Sequence, residues 1–424
     1  MLEQILDRRN IEKALVQVER NKGTAGIDGM QCSELRSYIN TQWQRLRQNI
    51  LQSSYEPSPV RRVEIPKPQG GKRMLGIPTV VDRMLQQAIA QWLTPMYEGE
   101  FSNRSYGFRP NRNAHQAVLQ AEQYLNEGKI WVIEMDLENF FDKVNHDKLM
   151  SALSRKITDK RTRKLIRSYL TSGIMEGGVI STRSEGTPQG SPLSPLLSNI
   201  VLDELDKELE KRGHAFVRYA DDVSVYVSSE ASAKRVMTGI TKYIEEKLRL
   251  KVNREKTRAG EPEESMLLGF SFRELKGKWI IKIARRSVAR IKGKLKAITL
   301  RSRPMSEGER ITKLNPMIRG WVNYFVIARA KSWMQHLDGN VRNRLRMCKW
   351  KQWKTTQARR ANLLKLGASS RDAYHHGGSS AGYCRVARSF ILCKTLTDAY
   401  FRKQGYVGFS DLFLGRTEKQ TSLF

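Results

Sequence analysis

The amino-acid sequence predicts an α+β fold in which strands and helices alternate and a basic helical region follows. Apolar segments that resemble strands are interspersed with segments of helical period between about residues 60 and 283. The chemistry then changes, because residues 275–306 contain eleven Lys or Arg and no Asp or Glu, and residues 341–366 contain nine more and again no acid. A length of 424 residues corresponds to two or three domains at about 150 residues each.

The first hundred residues are predicted to be helical around one hairpin. Apolar residues at helical spacing predict helices at 1–20, 33–52 and 79–93, and the glycine-rich segment NKGTAGIDG (21–29) predicts a loop. Residues 60–77 are predicted to form a β-hairpin, because prolines bracket the strand VRRVEIP and a Gly-Gly pair marks the turn that follows.

The middle of the chain alternates strands with helices. Strands are predicted at 129–135, 215–227 (as two strands), 266–272 and 279–283, and helices at 146–156, 159–171, from 195 to about 212, and 232–248. Val223, Val225 and Val227 alternate, which predicts that one face of their strand is buried. From about residue 367 the chain is richer in Gly and Ser and is expected to form a small appendix.

The charge balance predicts a polyanionic partner. The chain has 75 basic and 43 acidic residues, a formal net charge of +32. Nucleic acid is the first candidate, because its phosphates reward many Lys and Arg contacts by releasing counterions. No membrane partner is expected, since the chain has no amphipathic anchor and no run of about 18 apolar residues. The absence of CxxC pairs and of a signal peptide indicates reduced thiols and a cytoplasmic location.

Three aspartates stand at the ends of apolar strands. Asp136 follows the strand KIWVIEM, and Asp221 and Asp222 lie between two strands in RYADDVSVYV. An isolated Asp pair is most often a hairpin turn, but uncompensated carboxylates beside buried strands are costly, which favours a divalent-metal site. Mg²⁺ prefers carboxylate and phosphate oxygens, and two such ions about 4 Å apart serve nucleotidyl transfer. Two Mg²⁺ ions are therefore the expected cofactors.

Ordered sequence blocks surround these aspartates. YADD, the segment MDLENFFDKVNHDKL and the loop GTPQGSPLSPLLSNI together resemble reverse transcriptases. Three further segments narrow the resemblance to bacterial group II intron-encoded reverse transcriptases, or maturases: NKGTAGIDG, RRVEIPKPQGGKRMLGIPTVVDRMLQQAI and SYGFRPNRNAHQAV. The basic segments IRGWVNYF and RLRMCKWKQWK resemble the family's thumb, or maturase domain X, so the resemblance runs from residue 1 to about 366. A form that lacks the family's optional endonuclease domain is expected.

The resemblance implies a right-hand polymerase. It places an N-terminal extension and fingers at 1–100, a palm with an antiparallel sheet at 101–275, a basic helical thumb at 276–366, and a small extension, a candidate for DNA binding, at 367–424. The implied enzyme is an RNA-directed DNA polymerase that extends a DNA primer on an RNA template with deoxynucleoside triphosphates. Group II intron RNA and target DNA are implied partners for splicing and mobility, in a bacterial, nucleoid-associated ribonucleoprotein. The oligomeric state is left open.

The family pattern also implies residue roles. Asp136, Asp221 and Asp222 would hold the metal ions and be catalytic. The nucleotide would be bound by Lys67 and Arg73 at its triphosphate, by Phe141 as the aromatic that excludes a ribose 2′-hydroxyl, by Gln189 and by Lys256. Primer or template would be contacted by Tyr219, Gly269, Arg109 and Arg112, although Arg109 and Arg112 could equally brace their loop. The basic face for nucleic acid would comprise Arg285, Arg286, Arg290, Lys349, Lys351 and Lys354.

Several aromatic residues and two departures from the family pattern lead to further expectations. Tyr106 and Phe108 are expected to pack, and packing is favoured over base stacking for Trp350 and Trp353. Asn139 stands where many relatives carry Lys, which would weaken a phosphate contact, and Pro316 is expected to start or kink a helix. Two alternatives remain open: a domesticated reverse transcriptase in defence or repair, and an RNA-binding splicing cofactor without catalysis.

Overall fold

The computed structural model describes residues 1–66, 72–176 and 178–421, and the chain divides into two compact units, Met1–Ser265 and Met266–Phe424. The helices of the first unit are α1 (Leu2–Ile5), α2 (Arg8–Asn21), α3 (Leu35–Leu51), α4 (Val80–Glu98), α5 (Ala114–Asn126), α6 (Phe140–Lys143), α7 (His146–Ser154), α8 (Lys160–Thr171), α9 (Ser194–Lys211) and α10 (Glu230–Tyr243), the last continued by a π-helical turn, Ile244–Leu248. Its strands are β1 (Val60–Pro66), β2 (Lys72–Ile77), β3 (Trp131–Met135), β4 (Ile174–Glu176), β5 (Val179–Ser181), β6 (Ala215–Tyr219), β7 (Asp222–Val227) and β8 (Arg258–Gly260). The predicted α+β class is confirmed.

The first predicted helix is two helices in the structure. Asp7 interrupts the pattern because its side chain accepts a hydrogen bond from the Arg9 backbone N–H and so starts α2 as an N-cap. The apolar stripe of α2 then packs against α4. Helix α4 also runs past its predicted end at residue 93, and it includes Pro95 in its last turns.

The hairpin predicted at 60–77 is confirmed, with β1 and β2 antiparallel and Ile65 opposite Arg73. It belongs to a four-stranded mixed sheet in the order β2-β1-β4-β5. Strands β4 and β5 were not predicted, because three residues each are too short to show an alternating pattern. Residues 67–71, which include Lys67 and the Gly-Gly pair, lie outside the described residues.

A second four-stranded sheet, here called the central sheet, has the order β6-β7-β3-β8 and is antiparallel throughout. Its strand β7 is buried on both faces, since Ser224 and Tyr226 are as enclosed as the valines between them. The expected burial of the face that carries the valines is confirmed, and the opposite face is buried as well. The physical reason is that β7 lies inside the sheet, with its valines in the large core of this unit and Tyr226 against Tyr124 of α5.

The second unit is a hairpin followed by helices. It comprises β9 (Phe270–Leu275), β10 (Lys278–Ile283), α11 (Arg285–Ile298), α12 (Glu307–Phe325), α13 (Lys331–Gln352), α14 (Thr356–Lys365), α15 (Ser370–Gly377), α16 (Tyr383–Ala387), α17 (Phe390–Thr395), α18 (Asp398–Lys403) and α19 (Phe409–Thr421). Helices α16 and α19 pack against α13, so the residues expected to form an appendix share a core with the basic helices.

Two expectations concern single residues in this unit. Pro316 does not start a helix, because α12 begins at a capping box between Ser306 and Glu309 and continues through the proline, and a kink at Pro316 stays a prediction. Trp350 and Trp353 are buried at 1% and 5% exposure and pack edge to face, which confirms packing. Among the described residues, no helix combines the length and apolar character needed to cross a membrane.

Candidate active site

Asp136 leaves the end of β3 and is held there by the segment 253–257. Its backbone N–H donates to Thr257 Oγ1 at 3.1 Å, and its carbonyl accepts from the Asn253 N–H at 2.8 Å. The Lys256 ammonium lies 3.3 Å from Asp136 Oδ2. A strand end alone would leave this carboxylate mobile, so these contacts fix both its main chain and its side chain.

Asp221 and Asp222 occupy the tight turn between β6 and β7, where Tyr219 pairs with Asp222 and Ala220 takes a positive φ of 57°. A buried ion pair supports the turn from below. Arg218 is fully buried and donates two hydrogen bonds to the Asp206 carboxylate of α9, at 2.7 and 2.5 Å. The same guanidinium donates to the Ala220 carbonyl at 3.0 Å, so the turn is tied directly to α9.

The three carboxylates repel one another. Burial, more than any other cause, raises the pKa of Asp221, and Asp136 adds to the shift while Arg73 opposes it. Asp222 reaches solvent on one side, but the protein atoms around it, followed by the charges of Asp221 and Asp136, raise its pKa to about 6. The site therefore has an excess of negative charge that a cation would relieve.

The carboxylates line an open pocket of about 810 Å³. Seven of the residues assigned from the sequence face it together: Arg73, Asp136, Phe141, Gln189, Asp221, Asp222 and Lys256. Lys67 lies outside the described residues. These seven residues come from separate places along the chain, and their convergence on one pocket was implied only by the family pattern.

The described residues contain no group of three or more His, Cys, Asp or Glu side chains arranged to hold a metal ion by themselves. Carboxylate oxygens are nevertheless the ligands that a hard divalent cation prefers, and such an ion completes its coordination with water and substrate phosphates.

The nucleotide-facing residues differ in how they are held. Phe141 is half-buried and packs edge to face against Phe140, with ring centroids 5.3 Å apart. The Gln189 carbonyl accepts a hydrogen bond from the Gly76 N–H of β2 at 2.9 Å, which links the loop 186–195 to the β1–β2 hairpin. Arg73 is exposed on β2 and lines the same pocket, where its charge opposes the rise in the pKa of Asp221 and Asp222.

The residues of the SYGFRP segment need correction. Arg109 is almost fully buried, ion-paired to Glu98 at 2.8 Å and hydrogen-bonded to the carbonyls of Ser102 and Ser105. Its donors are occupied within the protein, so it braces the loop and does not contact nucleic acid. Phe108, expected to pack, is 51% exposed at a positive φ, whereas Tyr106 packs as expected.

The other residues assigned to primer and template are not among those that line the pocket. Arg112 is partly exposed, donates to Asn103 Oδ1 at 2.7 Å and covers the Tyr106 ring. Tyr219 is half-buried at the end of β6. Gly269, in the second unit, has φ +85°, and a Cβ there would come within 2.9 Å of Ser287 Oγ, so local geometry by itself requires glycine. Their contacts with primer or template stay predictions.

The basic face of the second unit is only partly as expected. Arg285, Arg286 and Arg290 are exposed on α11, and none has an ion pair within the part of the chain that the structure describes. Lys351 and Lys354 are exposed as well. Lys349 is corrected: it is mostly buried and ion-paired to Glu307 at 2.5 Å, so its charge is neutralised inside the protein.

Sequence reasoning missed the residues that position the aspartates. Arg218, Asp206 and Thr257 do not line the pocket, and Asn253, which does, bonds the Asp136 carbonyl through its backbone N–H rather than through its side chain. One signal was available: Arg218 is a charged residue inside the otherwise apolar strand AFVRY, and a buried Arg requires an acidic partner.

Comparisons with known proteins match two parts of the chain to known domains. A family model described as reverse transcriptase (RNA-dependent DNA polymerase) matches residues 65–272, and one described as group II intron, maturase-specific domain matches residues 288–367. Protein YkfC of Escherichia coli (strain K12) is 34% identical over 274 residues, which cover 55% of this chain and 72% of YkfC.

Two further proteins show similarity over part of their length. The group II intron-encoded protein LtrA of Lactococcus lactis subsp. cremoris is 37% identical over 188 residues, which cover 44% of this chain but only 31% of LtrA. A chain of the solved partial Cas6-RT-Cas1--Cas2 complex is 26% identical with a TM-score of 0.38, over 58% of this chain and 42% of that chain. On the two family models and the coverage of YkfC, the chain belongs to the group II intron reverse transcriptases, RNA-directed DNA polymerases joined to a maturase-specific domain.

Proposed function

We propose that this protein extends a DNA primer on an RNA template by two-metal nucleotidyl transfer in the pocket above Asp136, Asp221 and Asp222. The observation that carries the proposal is the convergence of seven assigned residues on that one pocket. A pocket of about 810 Å³ with one open side has room for a nucleoside triphosphate beside a primer end.

The aspartates fit a pair of Mg²⁺ ions. Asp136 and Asp221 would be the main ligands, with Asp222 completing the set. Burial first, and the neighbouring carboxylates in addition, raise the pKa values of Asp221 and Asp222, and a bound cation would offset both effects. When bound, the two ions supply activation of the primer 3′-hydroxyl and charge stabilisation at the leaving pyrophosphate. Ions held by so few protein carboxylates would complete their coordination with water and phosphate oxygens.

The protein's own side chains bind and orient the nucleotide. Arg73, exposed at the pocket wall, would hold the triphosphate by charge-assisted hydrogen bonds, with Lys67 of the same hairpin as its partner in this role. Lys256 would keep a positive charge beside Asp136 until substrate enters. Phe141 would lie against the sugar at C2′ and exclude a 2′-hydroxyl, and Gln189 would line the other side.

Primer extension tests the reaction. The full chain is given a DNA primer annealed to an RNA template, deoxynucleoside triphosphates and Mg²⁺, and the products are sized after alkaline hydrolysis of the RNA. The proposal predicts alkali-resistant cDNA of template length. A protein that binds the primer–template but adds no nucleotide would contradict the proposal and leave an RNA-binding cofactor as the function.

We further propose that the second unit binds group II intron RNA and assists splicing. The match to the maturase-specific domain and the exposed arginines of α11 support this role. Backbone contacts from such a face would supply affinity for a folded RNA without reading its sequence. Its test is a splicing assay of the transcript that surrounds the reading frame at low Mg²⁺, where the protein should accelerate splicing; no acceleration would remove the maturase role but not the polymerase role.

A further inference from the structure

We propose that His146 is a positioning residue for sugar selection, because it clamps the segment 140–144, which includes helix α6 and carries Phe141, to the loop that carries Gln189. The inference rests on the proposed function and extends it: it concerns how the pocket tells a deoxyribonucleotide from a ribonucleotide. His146 does not line the pocket itself, so it would act through the main chain on either side of it.

Three hydrogen bonds join the segment that carries Phe141 to the loop that carries Gln189. The Thr187 N–H donates to the Phe141 carbonyl at 2.6 Å, and the Gly186 N–H donates to the Val144 carbonyl at 2.7 Å. The third bond comes from a side chain, since His146 Nε2 lies 2.7 Å from the Gly186 carbonyl oxygen. The main chain of Phe141 is therefore bonded directly to the loop that leads to Gln189.

The chemical state of His146 follows from its surroundings. The side chain is 4% exposed at the start of α7, and burial lowers the pKa of the imidazole despite its bond to Gly186. The ring is neutral at neutral pH, and because a carbonyl can only accept, Nε2 must carry the proton. Removing this donor would leave the Gly186 carbonyl without its buried partner and loosen the junction.

The position of Gly186 shows how closely its loop packs against α6. It has φ +85°, and a Cβ there would lie 2.7 Å from the Asp142 carbonyl oxygen and 2.9 Å from its Cα. The backbone of Gly186 therefore lies directly against the backbone of Asp142 in α6, and no side chain lies between them to absorb a displacement. A shift of the Gly186 segment would be transmitted to residues 141 and 142, which line the nucleotide pocket.

The consequence for selectivity is steric. A ring that excludes a 2′-hydroxyl acts by short-range repulsion, which weakens steeply when the ring withdraws by a fraction of an ångström. Binding of a deoxyribonucleotide, which makes no such clash, would change much less. Loss of the clamp should therefore raise the relative use of ribonucleotides, and not simply slow both substrates.

The test is single-nucleotide incorporation of dGTP and GTP opposite template cytosine by the full chain, with the ratio of the two efficiencies as the readout. His146→Leu, which keeps volume but has no donor, should raise the GTP/dGTP ratio about five- to tenfold, the range expected for one lost hydrogen bond. His146→Gln, whose amide nitrogen can donate to the same carbonyl, should stay within about twofold of wild type. Gly186→Ala, whose added Cβ would push the loop away from the Asp142 backbone without changing the imidazole, should also raise the GTP/dGTP ratio.

The variant Phe141→Ala tests the sugar-excluding role of Phe141 separately from the clamp by His146. If Phe141→Ala raises the ratio while His146→Leu and Gly186→Ala leave it unchanged, the clamp is overturned and the sugar-excluding role of Phe141 stands. Equal loss of both substrates in His146→Leu, with an unchanged ratio, also overturns the clamp and assigns His146 to stability alone. A ratio that does not respond to Phe141→Ala overturns the role of Phe141 in the proposed function, and the clamp with it.

Discussion

At the scale of single residues, Asp222 shows a conflict between function and stability. Its pKa is raised to about 6, so the folded protein holds its proton more tightly than the unfolded chain does. A raised acid pKa contributes stability below the unfolded value near 4, and that contribution is lost as pH rises through about 6. Above pH 6 the ionised carboxylate destabilises the metal-free protein.

This sign predicts the effect of removing the charge. Asp222→Asn should raise the melting temperature at pH 7.5 in Mg²⁺-free buffer, because the neutral amide is not repelled by Asp221 and Asp136. The gain should shrink as pH falls through 6 and vanish below about 4. Asp147→Asn is the matched control: Asp147 is 82% exposed and should show no such pH-dependent gain. Equal melting curves for Asp222→Asn and wild type would contradict the account.

Mg²⁺ should stabilise the folded protein by binding the ionised Asp222 carboxylate, whose charge destabilises the metal-free protein. A ligand that binds only the folded state stabilises it, and the stabilisation increases with the logarithm of its concentration divided by its Kd. Added Mg²⁺ is therefore expected to raise the melting temperature of wild type and of Asp147→Asn more than that of Asp222→Asn. An identical response of all three proteins would show that the metal does not bind at this site.

Arg73 is the residue on which triphosphate binding should depend most. Arg73→Gln is predicted to raise the KM for deoxynucleotides by about 10- to 100-fold, the range for one charge-assisted contact, with little change in primer–template affinity. Arg62→Gln is the control, because Arg62 lies on the neighbouring strand and is already ion-paired to Glu176 at 3.0 Å. A loss of primer–template binding equal to the KM effect would move Arg73 from nucleotide to template.

At the scale of elements, the β6–β7 turn depends on the ion pair between Arg218 and Asp206. Both side chains are fully buried, so removing one leaves an uncompensated charge in the core. Arg218→Met is predicted to lower the free energy of unfolding by about 3–5 kcal/mol, measured by denaturant titration. The double variant Arg218→Met, Asp206→Leu should recover a large part of the loss. A double variant that sums the two single losses would exclude coupling between the residues.

The elements that could be predicted from sequence are those with a local signature. The β1–β2 hairpin and the turn at Asp221 combine alternating strands with turn residues, and both are confirmed. Helix α5 was overlooked although Asn113 and Gln116 form a capping box that the sequence displays as N-x-x-Q. The burial of both faces of β7 depends on where α5 packs, which no local pattern contains.

The residues of the candidate site also differ in whether a local sequence pattern could predict them. The aspartates and Phe141 lie in contiguous motifs, and the structure brings them to one pocket. Arg109 shows where a motif misleads: an arginine in a loop looks available for a phosphate, but Glu98 at the end of α4 neutralises it. The side chains of His146 and Thr257 form hydrogen bonds with the main chain of distant segments. Such contacts produce no regular residue spacing that could be recognised in the sequence.

At the scale of the whole molecule, a net charge of +32 predicts binding that depends strongly on salt. The exposed arginines of α11 should each contribute about one unit to the slope of log affinity against log salt concentration. Arg286→Gln is predicted to reduce that slope by about one for group II intron RNA, whereas Arg402→Gln, which removes a guanidinium ion-paired to Asp411 at 2.8 Å, should not. Equal slopes for Arg286→Gln and wild type would remove α11 from the binding face.

The two units carry separable parts of the function in this account. The first contains the pocket and its carboxylates, and the second contains the maturase-specific match and the exposed arginines. Substitutions on α11 should therefore change affinity for RNA while the rate of nucleotide addition at saturating primer–template stays near that of wild type.

The central claim is that Asp136, Asp221 and Asp222 form a catalytic site for RNA-templated DNA synthesis. The most direct test is the single-turnover rate of adding one deoxynucleotide to a primer on an RNA template, measured for Asp136→Ala, Asp221→Ala and Asp222→Ala at saturating primer–template. The account predicts a loss of about 1,000-fold or more for the first two, and a clear loss for the third, with primer–template affinity unchanged. Synthesis at the wild-type rate by any of the three variants would contradict the assignment of that residue, and by all three the assignment of the site.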